Sequence, residues 1–221
     1  MAGSRIRPSA ALITTGLLGG SFNPAHGGHR AISLFAIDAL GLDEMWWLVS
    51  PGNPLKAGAK DMALLAARLT SARKQTLRSR IKPTAIEREF GTQYTVDSLR
   101  KLVARYPKRR FIWIMGADNL MQFTRWRKWR EIARLMPIAV IARPSYDSPA
   151  VAAPAMAWFR RFVRRPDQRH GWTMWSTPAL VYLRFRPDPR SATALRRADP
   201  QWFKAYSGHA VRDPITRKYL R

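Results

Sequence analysis

The chain has 221 residues, enough to bury a core without disulfides or metals to staple it. Its 46% hydrophobic and 11% aromatic content excludes a disordered chain, and the absence of cysteine excludes disulfide frameworks, thiolate zinc sites, iron–sulfur clusters and cysteine nucleophiles. Lys+Arg 39 against Asp+Glu 14 gives a net charge of +25, which attracts nucleic acid, anionic membrane or phosphorylated metabolites unless it is only a solvated basic exterior.

Ala11 to Leu18 is an apolar run closed by glycines, the pattern of a strand buried on both faces. The stretch Ala10 to Gly20, behind Arg5 and Arg7, is too short and too rich in threonine for a signal peptide. From Gly28 to Leu40, Ile32, Phe35, Ala36 and Ala39 recur at helical spacing, with Gly41 as the stop. Met45 to Val49 reads as a second buried strand, completing a βαβ unit. Asp61 to Leu77 is helical, with Met62, Leu65, Ala66 and Leu69 on one face, and Ile81 to Ile86 is a strand. A helix follows from Thr95 to Tyr106, with Thr95 as N-cap and Asp97 in its first turn. Phe111 to Met115, Ile138 to Ala142 and Val181 to Phe185 are further strands, the last of them ending the sheet. Ala150 to Trp175 reads either as an amphipathic helix or as a peripheral excursion.

This alternation predicts an α/β fold with a doubly wound parallel sheet in three α/β/α layers. One domain is expected over 1–221, with a core over about 12–200 and a short helical C-terminal tail. No run of about 18 apolar residues occurs, so no membrane span is expected.

The chemistry concentrates where the first strand meets the first helix, in Gly19-Gly20-Ser21-Phe22-Asn23-Pro24-Ala25-His26-Gly27-Gly28-His29. Glycines there let backbone approach an anion, and a helix N-terminus offers N–H groups and a positive dipole end. His26 and His29, three apart, can face the same anion. The segment is neither a P-loop nor a G-x-G-x-x-G fingerprint. A histidine metal pair or two surface histidines are the alternatives.

This segment resembles the H-x-G-H motif of the nucleotidyltransferase superfamily, in the form found in bacterial nicotinate-nucleotide adenylyltransferases. Four later segments match in order: Ser50-Pro51-Gly52-Asn53-Pro54-Leu55-Lys56, Gln93 to Leu99, Gly116-Ala117-Asp118-Asn119 followed by Trp126, and Arg190 to Arg196. Arg190 and Ala192 depart from the family's usual isoleucine and second serine. The resemblance implies a Rossmann-like nucleotidyltransferase fold and adenylyl transfer from ATP to nicotinate mononucleotide, giving deamido-NAD and pyrophosphate. Other substrates within the superfamily, a pantetheine phosphate or a cytidylyl acceptor, are the alternative, and a basic nucleic-acid-binding protein is a third reading.

The resemblance also implies roles. His26, His29, Lys56 and Arg196 would be catalytic, and Gly19, Gly20, Ser21, Phe22, Ser191 and Thr193 would hold the ATP phosphates. Gly116 and Asp118 would take a ribose, and Tyr94, Thr95 and Trp126 the nicotinate ring and carboxylate. Mg²⁺ would arrive through the ATP phosphates, with no protein metal site. The expected partners are these two nucleotides, with a homo-oligomer compatible with the sequence and with neither membrane nor nucleic acid. A cytoplasmic location is expected. The basic clusters Lys108 to Arg110, Arg125 to Arg130 and Arg160 to Arg165 read as solvated faces.

Overall fold

The computed structural model describes residues 12–52, 62–142, 152–185, 191–208 and 210–221. Seven parallel strands form one sheet in the order β3-β2-β1-β4-β5-β7-β6. They are β1 (Ile13–Gly20), β2 (Glu44–Val49), β3 (Ile81–Thr84), β4 (Arg109–Gly116), β5 (Ile138–Ala142), β6 (Val163–Arg164) and β7 (Leu180–Arg184). The chain runs outward from β1 to β3, then crosses back so that β4 pairs with β1 on its other side. Strand order therefore reverses between β1 and β4, and in such sheets ligands bind beyond the carboxyl ends of the strands at that point.

Alternation along the strands separates two cores. Trp46 and Leu48 of β2, with Phe111, Trp113 and Met115 of β4, face helices α4 (Thr95–Arg105) and α6 (Trp129–Leu135). Met45, Trp47 and Val49, with Ile112 and Ile114, face α1 (Gly27–Leu40) and α2 (Leu65–Gln75). The result is the expected three-layer α/β/α arrangement. At the far end of the sheet from the strand termini just described, Glu44 accepts from Arg109 (2.5 Å), Trp46 (2.6 Å) and Lys82, so part of the Lys108–Arg110 cluster serves the sheet.

Several expectations are corrected. The third strand stops at Thr84, because Ile86 opens a short helix, α3 (Ile86–Phe90), closed by Gly91 at φ +63°. Thr95 is the first helical residue of α4, not its cap. The cap position falls on Tyr94, whose side chain caps nothing. Residues Ala152 to Trp175 form a peripheral excursion of 3₁₀ turns, a one-turn helix Met156–Phe159 and the edge strand β6, rather than an amphipathic helix. Trp172 pins this excursion by burying its ring and donating to Leu40 O at 2.9 Å.

β7 is not the last strand. After the helix Ala192–Ala198 and a 3₁₀ turn (Trp202–Tyr206), β8 (Val211–Arg212) and β9 (Tyr219–Leu220) pair antiparallel, so the tail is helix followed by ribbon. Asp213, fully buried, ties that ribbon to the sheet: its carboxylate accepts from Thr84 Oγ1 (2.9 Å), Ala85 N (2.7 Å) and Ile215 N (2.8 Å).

Candidate active site

β1 ends on Gly19-Gly20, and two close approaches explain both residues. A Cβ on Gly19 would stand 2.6 Å from Trp113 Cη2, and one on Gly20 would stand 3.3 Å from the Phe22 ring. Phe22 takes φ +47°, in the left-handed region, and its ring stacks on Trp47 (centroids 4.8 Å, 14° between planes). Strain of this kind at a non-glycine residue persists where surrounding packing holds it, and functional loops are where it gathers.

The two histidines form the N-terminal cap of α1. The Gly28 N–H donates to His26 Nδ1 at 3.1 Å, and the His26 N–H donates to His29 Nδ1 at 3.2 Å. This is a capping box built from two imidazoles at the spacing where hydroxyl and carboxylate residues usually sit. The ring centroids lie 3.8 Å apart. Each Nδ1 accepts an N–H, so in the neutral rings each proton is assigned to Nε2, making Nε2–H a donor. Burial, and then His26 beside it, pulls the His29 pKa from 6.5 down to about 3, which keeps that ring neutral near pH 7. Phe22 (4.9 Å) and Trp47 (5.9 Å) wall in the His29 ring. Ser33 Oγ donates to His29 O while accepting from Trp47 Nε1, which fixes the helix turn beneath it.

Two other elements reach this loop. Arg196 of the helix Ala192–Ala198 donates from Nη1 to Asn23 O at 2.7 Å, and the Ala63 N–H donates to Asn23 Oδ1 at 3.1 Å. Beside them opens a cleft of about 600 Å³ lined by Thr193, Arg196, Arg197, Met62, Leu64 and Phe203. The imidazoles are not among its lining residues. Ser191 caps the Ala192–Ala198 helix by accepting from Ala194 N at 3.1 Å. Lys56 lies outside the described residues, as do Arg190 and His209.

Across the switch point, Gly116 ends β4, and Asp118 stands in the first turn of α5 (Ala117–Met121). The Asp118 carboxylate folds back over Gly116, filling the space a Cβ would need. Trp126 is half-buried, edge-on to Trp113 (6.2 Å) and to Phe123 (5.3 Å). Tyr94 and Thr95 open α4, and Arg127, next to Trp126, lays its guanidinium 4.7 Å from the centre of the Tyr94 ring. Arg127 thus links the segment that carries Trp126 to the start of α4. Among the described residues, no group of three or more His, Asp or Glu side chains could hold a metal.

Sequence reasoning missed Arg68, Asn23, Trp113 and Arg127. Arg68 had a signal, since it is the only charged residue between Met62 and Ala72 and falls within the apolar face of α2. The other three depend on contacts between distant segments.

The cytidylyltransferase-like family model matches residues 17–198. A protein of Erythrobacter litoralis named "Probable nicotinate-nucleotide adenylyltransferase" is 59% identical over 211 residues, covering 96% of both chains. A Bradyrhizobium protein of the same name is 46% identical over 187 residues, covering 85% of this chain and 97% of its own. Among solved structures, the Plasmodium falciparum nicotinic acid mononucleotide adenylyltransferase complexed with NaAD superposes with a TM-score of 0.61 at 14% identity, covering 84% and 83% of the two chains. That likeness shows the Rossmann-like nucleotidyltransferase fold. The chain belongs to the cytidylyltransferase-like family and, within it, to the nicotinate-nucleotide adenylyltransferases.

Proposed function

We propose that this site transfers the adenylyl group of ATP to nicotinate mononucleotide, giving deamido-NAD and pyrophosphate, within a single catalytic domain acting in the cytoplasm. A phosphate oxygen of the mononucleotide attacks the α-phosphorus of ATP, and the bond from that phosphorus to the pyrophosphate oxygen breaks. The nucleophile is already ionised at neutral pH, so the reaction needs no general base. What remains is to align two phosphates and neutralise developing charge.

The observation that carries the reading is the pair of imidazoles 3.8 Å apart whose Nδ1 atoms are occupied by backbone N–H groups. Donors held this way cost no reorganisation when charge develops on the phosphorus oxygens. His26 and His29 therefore act as Nε2–H donors to the α-phosphate, beside the N–H groups of Ser21 and Phe22 that follow Gly19 and Gly20. Arg196, with Ser191 and Thr193, takes the β- and γ-phosphates, and Lys56 adds charge from the neighbouring loop. Gly116 and Asp118 hold a ribose. Trp126 stacks on the pyridine ring, and the first turn of α4 at Tyr94 and Thr95 receives its carboxylate. Mg²⁺ held through the ATP oxygens would supply charge neutralisation on the leaving pyrophosphate.

The test is pyrophosphate release from ATP, measured with and without nicotinate mononucleotide. Release requiring the mononucleotide is expected, and His26→Ala and His29→Ala should each lose about 10² to 10³ in turnover while remaining folded. Full turnover in both variants would remove the imidazoles from the mechanism. Efficient use of a pantetheine phosphate or a cytidine nucleotide instead would move the substrate elsewhere in the superfamily.

A further inference from the structure

Arg68 of α2 is 1% exposed, yet it carries a guanidinium. Among the described residues, its hydrogen bonds go to carbonyl oxygens: Ser21 O (2.8 Å) and Ser50 O (2.7 Å) from Nη1, Pro51 O (3.4 Å) from Nη2, and Ala63 O (2.9 Å) from Nε. Ser21 belongs to the loop after β1 and Ser50–Pro51 to the loop after β2. One side chain thus fastens both loops that flank the histidine cap, and it holds Ala63, whose own N–H anchors the Asn23 side chain.

The direction of these bonds matters. In a trans peptide the C=O and the following N–H point to opposite sides. Once the Ser21 carbonyl is held inward on Arg68, the N–H of Phe22 is turned away from the core. The Gly20 carbonyl is likewise engaged by the Ser50 N–H at 3.0 Å, which turns the Ser21 N–H away from β2. Phe22 at φ +47° would relax readily if nothing held the preceding peptide. A planar fork with several fixed donors can bridge two loops in this way, and a single ammonium cannot reproduce its geometry.

We propose that Arg68 is a positioning residue for the nucleotide phosphates: it ties the Ser21–Phe22 peptide to the loop after β2 and so holds the Phe22 N–H toward the triphosphate. This rests on the adenylyl-transfer reading above. Arg68 touches no substrate and acts through the two loops.

The experiment compares wild type, Arg68→Lys and Arg68→Met in steady-state pyrophosphate release, varying ATP and nicotinate mononucleotide separately with Mg²⁺ present. Circular dichroism and thermal unfolding follow the fold. Arg68→Met should lower kcat/KM for ATP by about 10- to 100-fold, with KM for the mononucleotide within about twofold of wild type, because Trp126 and α4 pack on the opposite face of the sheet from α2. Arg68→Lys should recover part of the loss in kcat/KM for ATP. Should Arg68→Met not fold, Arg68→Lys carries the test through the same split between substrates. Unchanged ATP kinetics in a folded variant overturns the proposal, as does an equal fall for both substrates that tracks loss of folded protein. A wild type that releases no pyrophosphate sinks the adenylyl-transfer reading instead.

Discussion

Gly19→Ala tests how the end of β1 is joined to the aromatic side of the site. The added Cβ would stand 2.6 Å from Trp113 Cη2 and 3.2 Å from Cζ2. Carbon atoms pack best at about 3.5–4.0 Å, so the indole must retreat by about 1 Å. Trp113 is 3% exposed and rigid, with Trp126 set edge-on against it. Overpacking of this sort costs about 1–3 kcal/mol. Taking about 2 kcal/mol, and about 2–4 °C per kcal/mol for a chain of this size, Tm should fall by about 4–8 °C. The retreating indole pushes on Trp126, so KM for nicotinate mononucleotide should rise more than KM for ATP. Gly16→Ala on the same strand is the control: its Cβ would meet Leu42 Cδ1 (2.7 Å) and Met45 Cε (2.7 Å), the free ends of flexible side chains that can swing aside. Differential scanning calorimetry and steady-state kinetics on the two variants decide the matter. Equal penalties for both, or an unshifted Tm in Gly19→Ala, would refute the argument from indole rigidity.

Glu87 is buried, and burial raises its pKa from 4.5 to about 7 against the opposing hydrogen bond from Ser98. The folded state therefore holds this proton more tightly than the unfolded chain. Its contribution is complete below pH 4.5 and is lost as pH rises through 7, at up to about 1.4 kcal/mol per unit and at most about 3 kcal/mol in all. In urea unfolding at pH 5 and pH 8, Glu87→Gln should remove that part of the slope, and an identical pH dependence in both proteins would contradict it. Asp213→Ala leaves the buried N–H of Ala85 and the hydroxyl of Thr84 without their acceptor, so a loss of about 3 kcal/mol is expected. Limited proteolysis should then cut first near the terminal ribbon, and an uncut ribbon would show that other contacts hold it.

The elements legible in the sequence are those whose signals are local. Apolar runs closed by Gly19-Gly20 and by Gly116 mark β1 and β4, and Gly41 closes α1 in the left-handed conformation at φ +62°. The H-x-x-H spacing could be read as two side chains facing one ligand because positions three apart share a helix face. What escaped depends on chain segments far apart. Val163–Arg164 is a strand only because β7 lies beside it. The ribbon of β8 and β9 is held by one buried carboxylate reaching back some 129 residues to Thr84. Arg68 stands out as a lone cation on an apolar helix face, but what it holds emerges only when the carbonyls of two loops are seen converging on it. The basic clusters were also opaque, since Arg109 serves Glu44, Arg127 covers Tyr94, and Arg130 lies over Trp129 at 4.5 Å.

The reciprocal cap on α1 makes the H-x-x-H sequence a folding instruction as well as a chemical one. The nitrogen that terminates the helix on each ring dictates which nitrogen is left to face outward, so tautomer and secondary structure are settled by the same two contacts. Transplanting the two rings onto another scaffold without a helix beginning between them would deliver imidazoles of undefined protonation. Conversely, a residue chosen only to rescue the helix end, such as serine at position 26, would restore about 1 kcal/mol of capping while leaving the chemistry silent.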